Sequence, residues 1–193
     1  MDKIIKSVYN LDLTGNNVTY LTRGKSKVVL YDSLTPNDNI IDIIGPTNQV
    51  LLLFPTSNNG PDGHWLSLRY IPDKKLISHF DSYGLSVSAE IQYSKNLNVQ
   101  KNILGYLYNK AQQQGYNFEY NPYRFQVMAN GVNVCGRWAS IRNRFWYLDV
   151  EQFKKLFIGQ PSSPDYLITI MTFLSLSENE TDEQNIINQL GKV

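Results

Sequence analysis

The chain has 193 residues, with 18 basic and 17 acidic side chains and a formal net charge of +1, enough for one domain with a sizeable core. That balance gives no bulk attraction to nucleic acid or to an anionic membrane surface. The most apolar stretch, Tyr166 to Leu176, is too short to span a bilayer and carries Thr169 and Thr172, so no membrane partner is expected. Met1-Asp2-Lys3 leads into no apolar signal core and Cys135 is the single cysteine, which suggests an unsecreted protein in a reducing, intracellular setting.

Residues 1–31 mix Ile4, Ile5 and Val8 with turns around Gly15 and Gly24, a pattern for short strands or an embracing arm. Pro36 to Ile44 predicts a short helix, with Thr35 as N-cap and Gly45-Pro46 as stop. Val50 to Phe54 is a continuous apolar run ended by Pro55, as in a fully buried strand. Thr56 to Gly63 is a loop by its Asn, Gly and Pro content. His64 to Tyr70 then alternates, with His64, Leu66, Leu68 and Tyr70 on one face, and Lys75 to Phe80 runs back after Pro72-Asp73. A turn centred on Pro72-Asp73 sets His64 opposite Asp81, and directly opposed residues share a face with Cβ atoms roughly 4.5–5.5 Å apart.

Val99 to Gln114 predicts a helix with Ile103, Leu104, Leu107 and Ala111 as its apolar stripe and Gly115 as its stop. Phe118 to Tyr123 is aromatic and extended, and Phe125 to Met128 predicts a short strand. After the turn-prone run Ala129 to Asn133, Trp138, Ile141, Phe145 and Leu148 recur at helical spacing. Cys135 extends that stripe to the N-terminal end of the helix. Unpaired N–H groups and the partial positive charge there favour thiolate over thiol. Arg137, Arg142 and Arg144 on the same helix could form a basic patch, but three arginines on one helix are expected to be a solvated face or to bind carboxylates. Val150 to Phe157 and Asp165 to Leu174 predict two further helices, and the tail from Glu178 to Val193 is polar with a weak helical pattern. The expected architecture is α+β in one domain, residues 1–193, with its catalytic half near 50–148 and C-terminal helices over 150–193. Its central mixed β-sheet, from strands near 50–54, 64–70, 75–80 and 125–128, is packed by helices, with Cys135 at the junction of helix and sheet.

A lone cysteine is commonly a small buried hydrophobe, and a nucleophile needs a base, a group orienting that base and donors for an oxyanion. The chain offers His64, Asp81, Gln126 and Cys135 in that order, with His79 as rival base because it shares a face with Asp81. Asp81 could equally close the Ser82-Tyr83-Gly84 turn.

His64-Trp65, then Asp81-Ser82, then Gln126 and Cys135-Gly136 resemble the cysteine peptidase clan that holds the adenoviral maturation protease and the SUMO-specific proteases. The likeness covers about residues 50–148 and is strongest to maturation proteases of double-stranded DNA viruses and virophages. It implies a papain-related fold, Cys135 as nucleophile, His64 as general base and acid, Asp81 as imidazole orienter and Gln126 as oxyanion donor with the Cys135 N–H. It also implies that Trp65 lines the cleft and that Gly136 lets backbone approach the scissile peptide. Gln126 stands nine residues before Cys135, against about six or seven in the family, so Asn130 or Asn133 is an alternative donor, and Asn133 is expected to contact substrate with Trp65 and Gly136.

The implied activity is an endopeptidase processing viral capsid or other structural precursors during virion maturation, inside the host cell at assembly sites or packaged in the virion. Alternatives are a protease acting on ubiquitin-like modifiers, an acetyltransferase with a similar residue set, or a catalytically silent capsid-associated binding module. Proteases of this kind can require a peptide or DNA activator. No cofactor is expected and no metal, since two histidines and one cysteine do not make the usual zinc set.

Overall fold

The computed structural model describes residues 13–56, 63–91, 102–129, 132–177 and 187–188. The readings made for Ile4 to Val8, the 57–62 loop, residues 99–101, Asn130 and Gly131, and most of the tail lie outside the described residues.

The described chain is α+β. Five strands form one mixed sheet in the order β1 (Lys27–Leu30), β2 (Gln49–Pro55), β3 (Gly63–Ile71), β4 (Leu76–Phe80) and β5 (Asn117–Tyr120). The outer pairs β1/β2 and β4/β5 are parallel, and the inner pairs are antiparallel. The helices are α1 (Gly15–Leu21), α2 (Ile40–Ile44), α3 (Val87–Ile91), α4 (Ile103–Gln113), α5 (Cys135–Arg144), α6 (Val150–Lys155) and α7 (Pro164–Ser177). Among the described residues no helix is long and apolar enough to cross a membrane.

Alternation along β2 and β3 divides the core between two faces. Val50, Leu52, Phe54, Leu66 and Leu68 pack with α2 and α4 through Ile40, Ile44, Leu104, Leu107 and Ala111. Leu51 and Trp65 face the other way, against Val18 of α1 and Ala139 of α5. A largely aromatic cluster continues that second layer: Phe80, Phe125, Trp138, Phe145, Phe153 and Phe157. Trp138 and Phe157 meet edge to face at 4.7 Å, the favoured geometry for such rings.

Several local expectations change. The helix expected from Pro36 begins at Ile40, as α2, because Asp38 folds back to accept from the Thr35 N–H at 2.6 Å while Asn39 caps Ile41 at 2.9 Å. The hairpin turn is longer than a Pro72-Asp73 centre allows: a 3₁₀ turn over Pro72–Lys74 is followed by Lys75 at φ 44°. Ser67 therefore pairs with Phe80 and Leu68 with His79, so His64 does not stand opposite Asp81. Phe125 to Met128 is not a strand. The Phe125 and Gln126 N–H groups both donate to the Ser82 carbonyl at 2.9 Å, and the Val127 N–H donates to the Asp165 carboxylate at 2.8 Å. The parallel neighbour of β4 is Asn117–Tyr120 instead.

Helix α5 has no solvated face: Arg137, Arg142 and Arg144 are all buried. Arg144 donates to the Ser175 carbonyl of α7 at 3.2 Å. Arg142 donates to the Phe145 carbonyl at 3.3 Å and lies 5.2 Å over the Phe153 ring. Its burial, and then the nearby Arg69, push its pKa down to about 9.

A candidate thiol active site at the rim of the sheet

Cys135 is the first residue of α5, with Val134 at the N-cap supplying no side-chain acceptor. The first N–H groups of a helix lie outside its own hydrogen-bond ladder, so the Cys135 N–H is available to an external acceptor. What places this helix end is polar as well as apolar. Asn143, two turns on, donates from Nδ2 to Ser26 Oγ at 3.0 Å and to the Val50 carbonyl at 3.2 Å, while its Oδ1 accepts from Ser67 Oγ. One buried amide thus ties α5 to β2, β3 and the start of β1.

Gly136 meets the sheet directly. A Cβ there would stand 3.1 Å from Trp65 Cδ1 and 3.2 Å from Leu13 Cβ. The missing side chain therefore lets the indole next to His64 rest against the helix end. Asp165 of α7 closes the other side. Its carboxylate accepts from Trp138 Nε1 at 2.9 Å and from the Val127 N–H at 2.8 Å, joining α5, α7 and the segment that carries Gln126.

His64 is buried at the start of β3, and its Nε2 meets Asp81 Oδ1 at 2.5 Å. Asp81 follows β4 and is itself held by the Tyr83 N–H on Oδ1 at 3.1 Å and the Leu85 N–H on Oδ2 at 2.8 Å. Asn121 donates to the Asp81 carbonyl at 2.5 Å and accepts from the Tyr123 N–H at 2.9 Å. The turn needs Gly84, which has φ +71° and whose Cβ, if present, would lie 2.8 Å from the Tyr123 carbonyl oxygen. The longer hairpin still allows the pairing because Tyr83 now stands alongside His64, the two rings stacking at 4.8 Å and 18°. Asp81 reaches the imidazole from the diagonal.

With Nε2 occupied by Asp81, Nδ1 is the ring nitrogen left for Cys135. Burial pushes His64 toward its neutral form, but hydrogen bonds to Asp81 and Cys135 and the negative charges of both outweigh it, so its pKa is held well above the ordinary 6.5. Burial likewise pushes Asp81 up, yet the His64 hydrogen bond and charge and the two backbone N–H groups hold it below the ordinary 3.8. A protonated imidazole beside the Asp81 carboxylate is the electrostatically preferred state.

His79 stands elsewhere. Its Nδ1 pairs with Tyr108 Oη at 2.8 Å and its ring packs against Tyr108 and Tyr120.

Two cavities meet at Cys135. One, of about 240 Å³, is lined by Phe54, His64, Tyr83, Leu85, Met128 and Val132. The other, of about 690 Å³, is lined by Leu13, Thr14, Leu53, Trp65 and Gly136. Thr56, Gly63 and Asn133 border both, as Cys135 does. Their walls come from opposite faces of the sheet, so the sulfur sits on the rim between them.

Gln126 is brought near this group but is only 1% exposed and lines neither cavity. Its Oε1 accepts from Ser82 Oγ at 2.8 Å, and its Nε2 donates to the Val132 carbonyl at 3.0 Å and to Tyr83 Oη at 3.2 Å. A carbonyl can only accept, which orients the amide unambiguously. Sequence reasoning missed Tyr83, Asn121 and Asp165 as parts of the site. The one signal for the first was its place directly after Asp81-Ser82.

No group of metal-ligating side chains able to hold an ion occurs among the described residues. No family model matches the chain. It is similar to uncharacterized protein V9 of the Sputnik virophage, with 29% identity over 176 residues, 88% of this chain and 99% of that protein. The likeness sets the chain beside a viral protein and carries no activity with it.

Proposed function

We propose that this chain is a cysteine endopeptidase of a virus-like element, acting on viral structural precursor proteins. The observation that supports it most is His64 standing between Asp81 and Cys135 where two clefts meet. An extended peptide lying across the rim would place its scissile carbonyl over the sulfur and one flank in each cavity.

The chemistry follows from the groups present. The sulfur attacks the carbonyl carbon, and as the C–S bond forms the carbonyl electron pair moves onto oxygen. The oxyanion takes a hydrogen bond from the Cys135 N–H and from the side-chain donor set around Gln126. Collapse breaks the C–N bond, and the departing amine takes the proton held on His64. Water then gives a proton to His64 while its oxygen attacks the thioester, releasing the acid and the sulfur. Asp81 keeps Nε2 occupied throughout, so that Nδ1 faces the reaction. The virophage relative supports the viral setting of the substrate.

The test incubates the purified protein with denatured casein, with capsid precursors of its source element and with folded ubiquitin-like-modifier fusions, reading new N-termini by mass spectrometry. Cleavage of precursors or casein that Cys135→Ser and His64→Ala both abolish supports the proposal. Cleavage confined to modifier fusions moves the substrate class. A thiol that cleaves nothing, and that reacts with iodoacetamide at pH 6 no faster than free cysteine, refutes it.

A further inference from the structure

Gln126 has no N–H left to offer a substrate, and the group it donates to does face the cleft. We infer that Tyr83 is the side-chain oxyanion donor, with Gln126 acting behind it as the residue that orients and polarises its hydroxyl. The inference rests on the thiol peptidase reading above.

Three observations converge on the hydroxyl. Gln126 Nε2 donates to Tyr83 Oη at 3.2 Å, so that oxygen is an acceptor and its own proton must point elsewhere. The Gln126 amide cannot turn round to release it, being fixed by the Val132 carbonyl on one side and Ser82 Oγ on the other. Tyr83 lines the cavity that contains His64 and Cys135, whereas Gln126 lines none. Its ring is held by stacking on His64, so the phenol has a fixed platform beside the reacting atoms.

The direction of the bonds matters. Ser82 donates to Gln126, Gln126 donates to Tyr83, and the tyrosine proton is the free end of the chain. Successive donors aligned this way strengthen the last one. The phenol also stays a donor over the working range. Burial first, then the negative charges of Cys135, Asp81 and Asp165, push its pKa up to about 12. The step moves no proton from Tyr83: its O–H bond persists and only a hydrogen bond to the new oxyanion forms, then is lost when the carbonyl returns. Donors preorganised in this way are worth about 10²–10³ in rate each.

Two reagents separate this role from simple support of His64. p-Nitrophenyl acetate acylates a thiolate through an oxyanion, releasing nitrophenolate as the new thioester carbonyl forms. Iodoacetamide alkylates it by displacement at a saturated carbon, with no oxyanion. Tyr83→Phe keeps the stacked ring and removes only the hydroxyl. The expected result is a loss of about a hundredfold in the acylation rate, with alkylation at pH 6 unchanged. Gln126→Ala should lose less, and the double variant should behave as Tyr83→Phe does.

Equal losses with both reagents would make Tyr83 a prop for the imidazole and overturn the inference. So would undiminished acylation in Tyr83→Phe, above all if Asn133→Ala lost it instead. Failure of the underlying reading looks different, because the wild type itself would then neither accept the acetyl group nor alkylate faster than free cysteine.

Discussion

Asp81→Asn tests the electrostatics of the site with the smallest change of shape. The carboxylate receives three donors: His64 Nε2, the Tyr83 N–H and the Leu85 N–H. An amide keeps one acceptor and turns an NH₂ group toward one of them. If its oxygen stays with His64 and Tyr83, the Leu85 N–H loses its partner and faces another donor. A hydrogen bond to a charged group contributes about 1.5–3 kcal/mol, which in a domain of this size corresponds to roughly 4–10 °C of melting temperature. The pH profile should change as well as the midpoint. Asp81 titrates below its ordinary 3.8, so its contribution is complete above that pH and disappears as pH falls through the lower folded value. His64 titrates well above its ordinary 6.5, so its contribution is complete below 6.5 and disappears as pH rises through the folded value. The difference between wild-type and Asp81→Asn melting curves should be greatest between those two ordinary values and shrink on both flanks. Without the carboxylate, burial is the largest influence on His64 and favours its neutral form, so iodoacetamide labelling of Cys135 at pH 6 should slow. Circular dichroism melts across pH and intact mass after timed labelling measure both. A variant that melts within about 1 °C of wild type at every pH and labels as fast would refute the account of the pair.

Three further substitutions probe the frame around it. His64→Ala should abolish rapid labelling of Cys135 at pH 6, while His79→Ala, which loses the bond to Tyr108 and the packing on Tyr108 and Tyr120, should spare labelling and cost about 2–4 kcal/mol in a urea melt. Gly136→Ala places a methyl 3.1 Å from Trp65 Cδ1; about 1–3 kcal/mol of destabilisation is expected, with a changed near-ultraviolet tryptophan signal and slower labelling. Asn143→Ala takes the acceptor from Ser67 Oγ and a donor from the Val50 carbonyl and from Ser26 Oγ, which keeps only Gln49 Oε1 at 3.2 Å. A loss of about 2–4 kcal/mol is expected, read as a lower urea midpoint, and an unchanged midpoint would deny the network its role.

Long patterned segments were legible in the sequence and short or composite ones were not. Val50 to Phe54 is an unbroken apolar run, and His64 to Tyr70 and the stripe from Cys135 through Trp138 to Phe145 carry a periodicity, each reinforced by tertiary packing. The edge strands Lys27–Leu30 and Asn117–Tyr120 are four residues each, too brief for alternation to declare itself. The hairpin register failed on Lys75, whose positive φ lengthens the turn in a way that no composition rule marks. For the arginines of α5, charge is a poor sign of solvent, since all three are buried. The helix is instead enclosed by the sheet, α1 and α7, where Arg144 reaches the Ser175 carbonyl and Arg142 meets the nearby Phe145 carbonyl and the Phe153 ring. The grouping of His64, Asp81 and Cys135 is an expectation of the family resemblance, since the hairpin register that sets His64 opposite Asp81 does not hold. The partners that hold them, Asn121, Asn143 and Asp165, are single polar residues with nothing periodic about them, and only the folded arrangement identifies them.

The site depends on three segments far apart in sequence, and each is fastened by buried polar bonds as well as apolar packing. Asn143 locks α5 to the inner strands, Asn121 and two backbone N–H groups lock Asp81, and Asp165 locks Trp138 to the segment bearing Gln126. An apolar contact tolerates sliding, whereas a buried polar group that slips leaves an unsatisfied atom costing about 1–3 kcal/mol. Polar fasteners therefore define position more sharply than the surrounding Phe and Leu side chains can. On the proposed thiol-peptidase reading, a sulfur, an imidazole and a phenol would have to meet one carbonyl group and would need that sharpness, since an ångström of misplacement is enough to cost about a hundredfold in rate. On this view the buried asparagines and Asp165 are there for registration, and their loss should harm labelling and acylation more than a stability change of the same size made in the aromatic cluster.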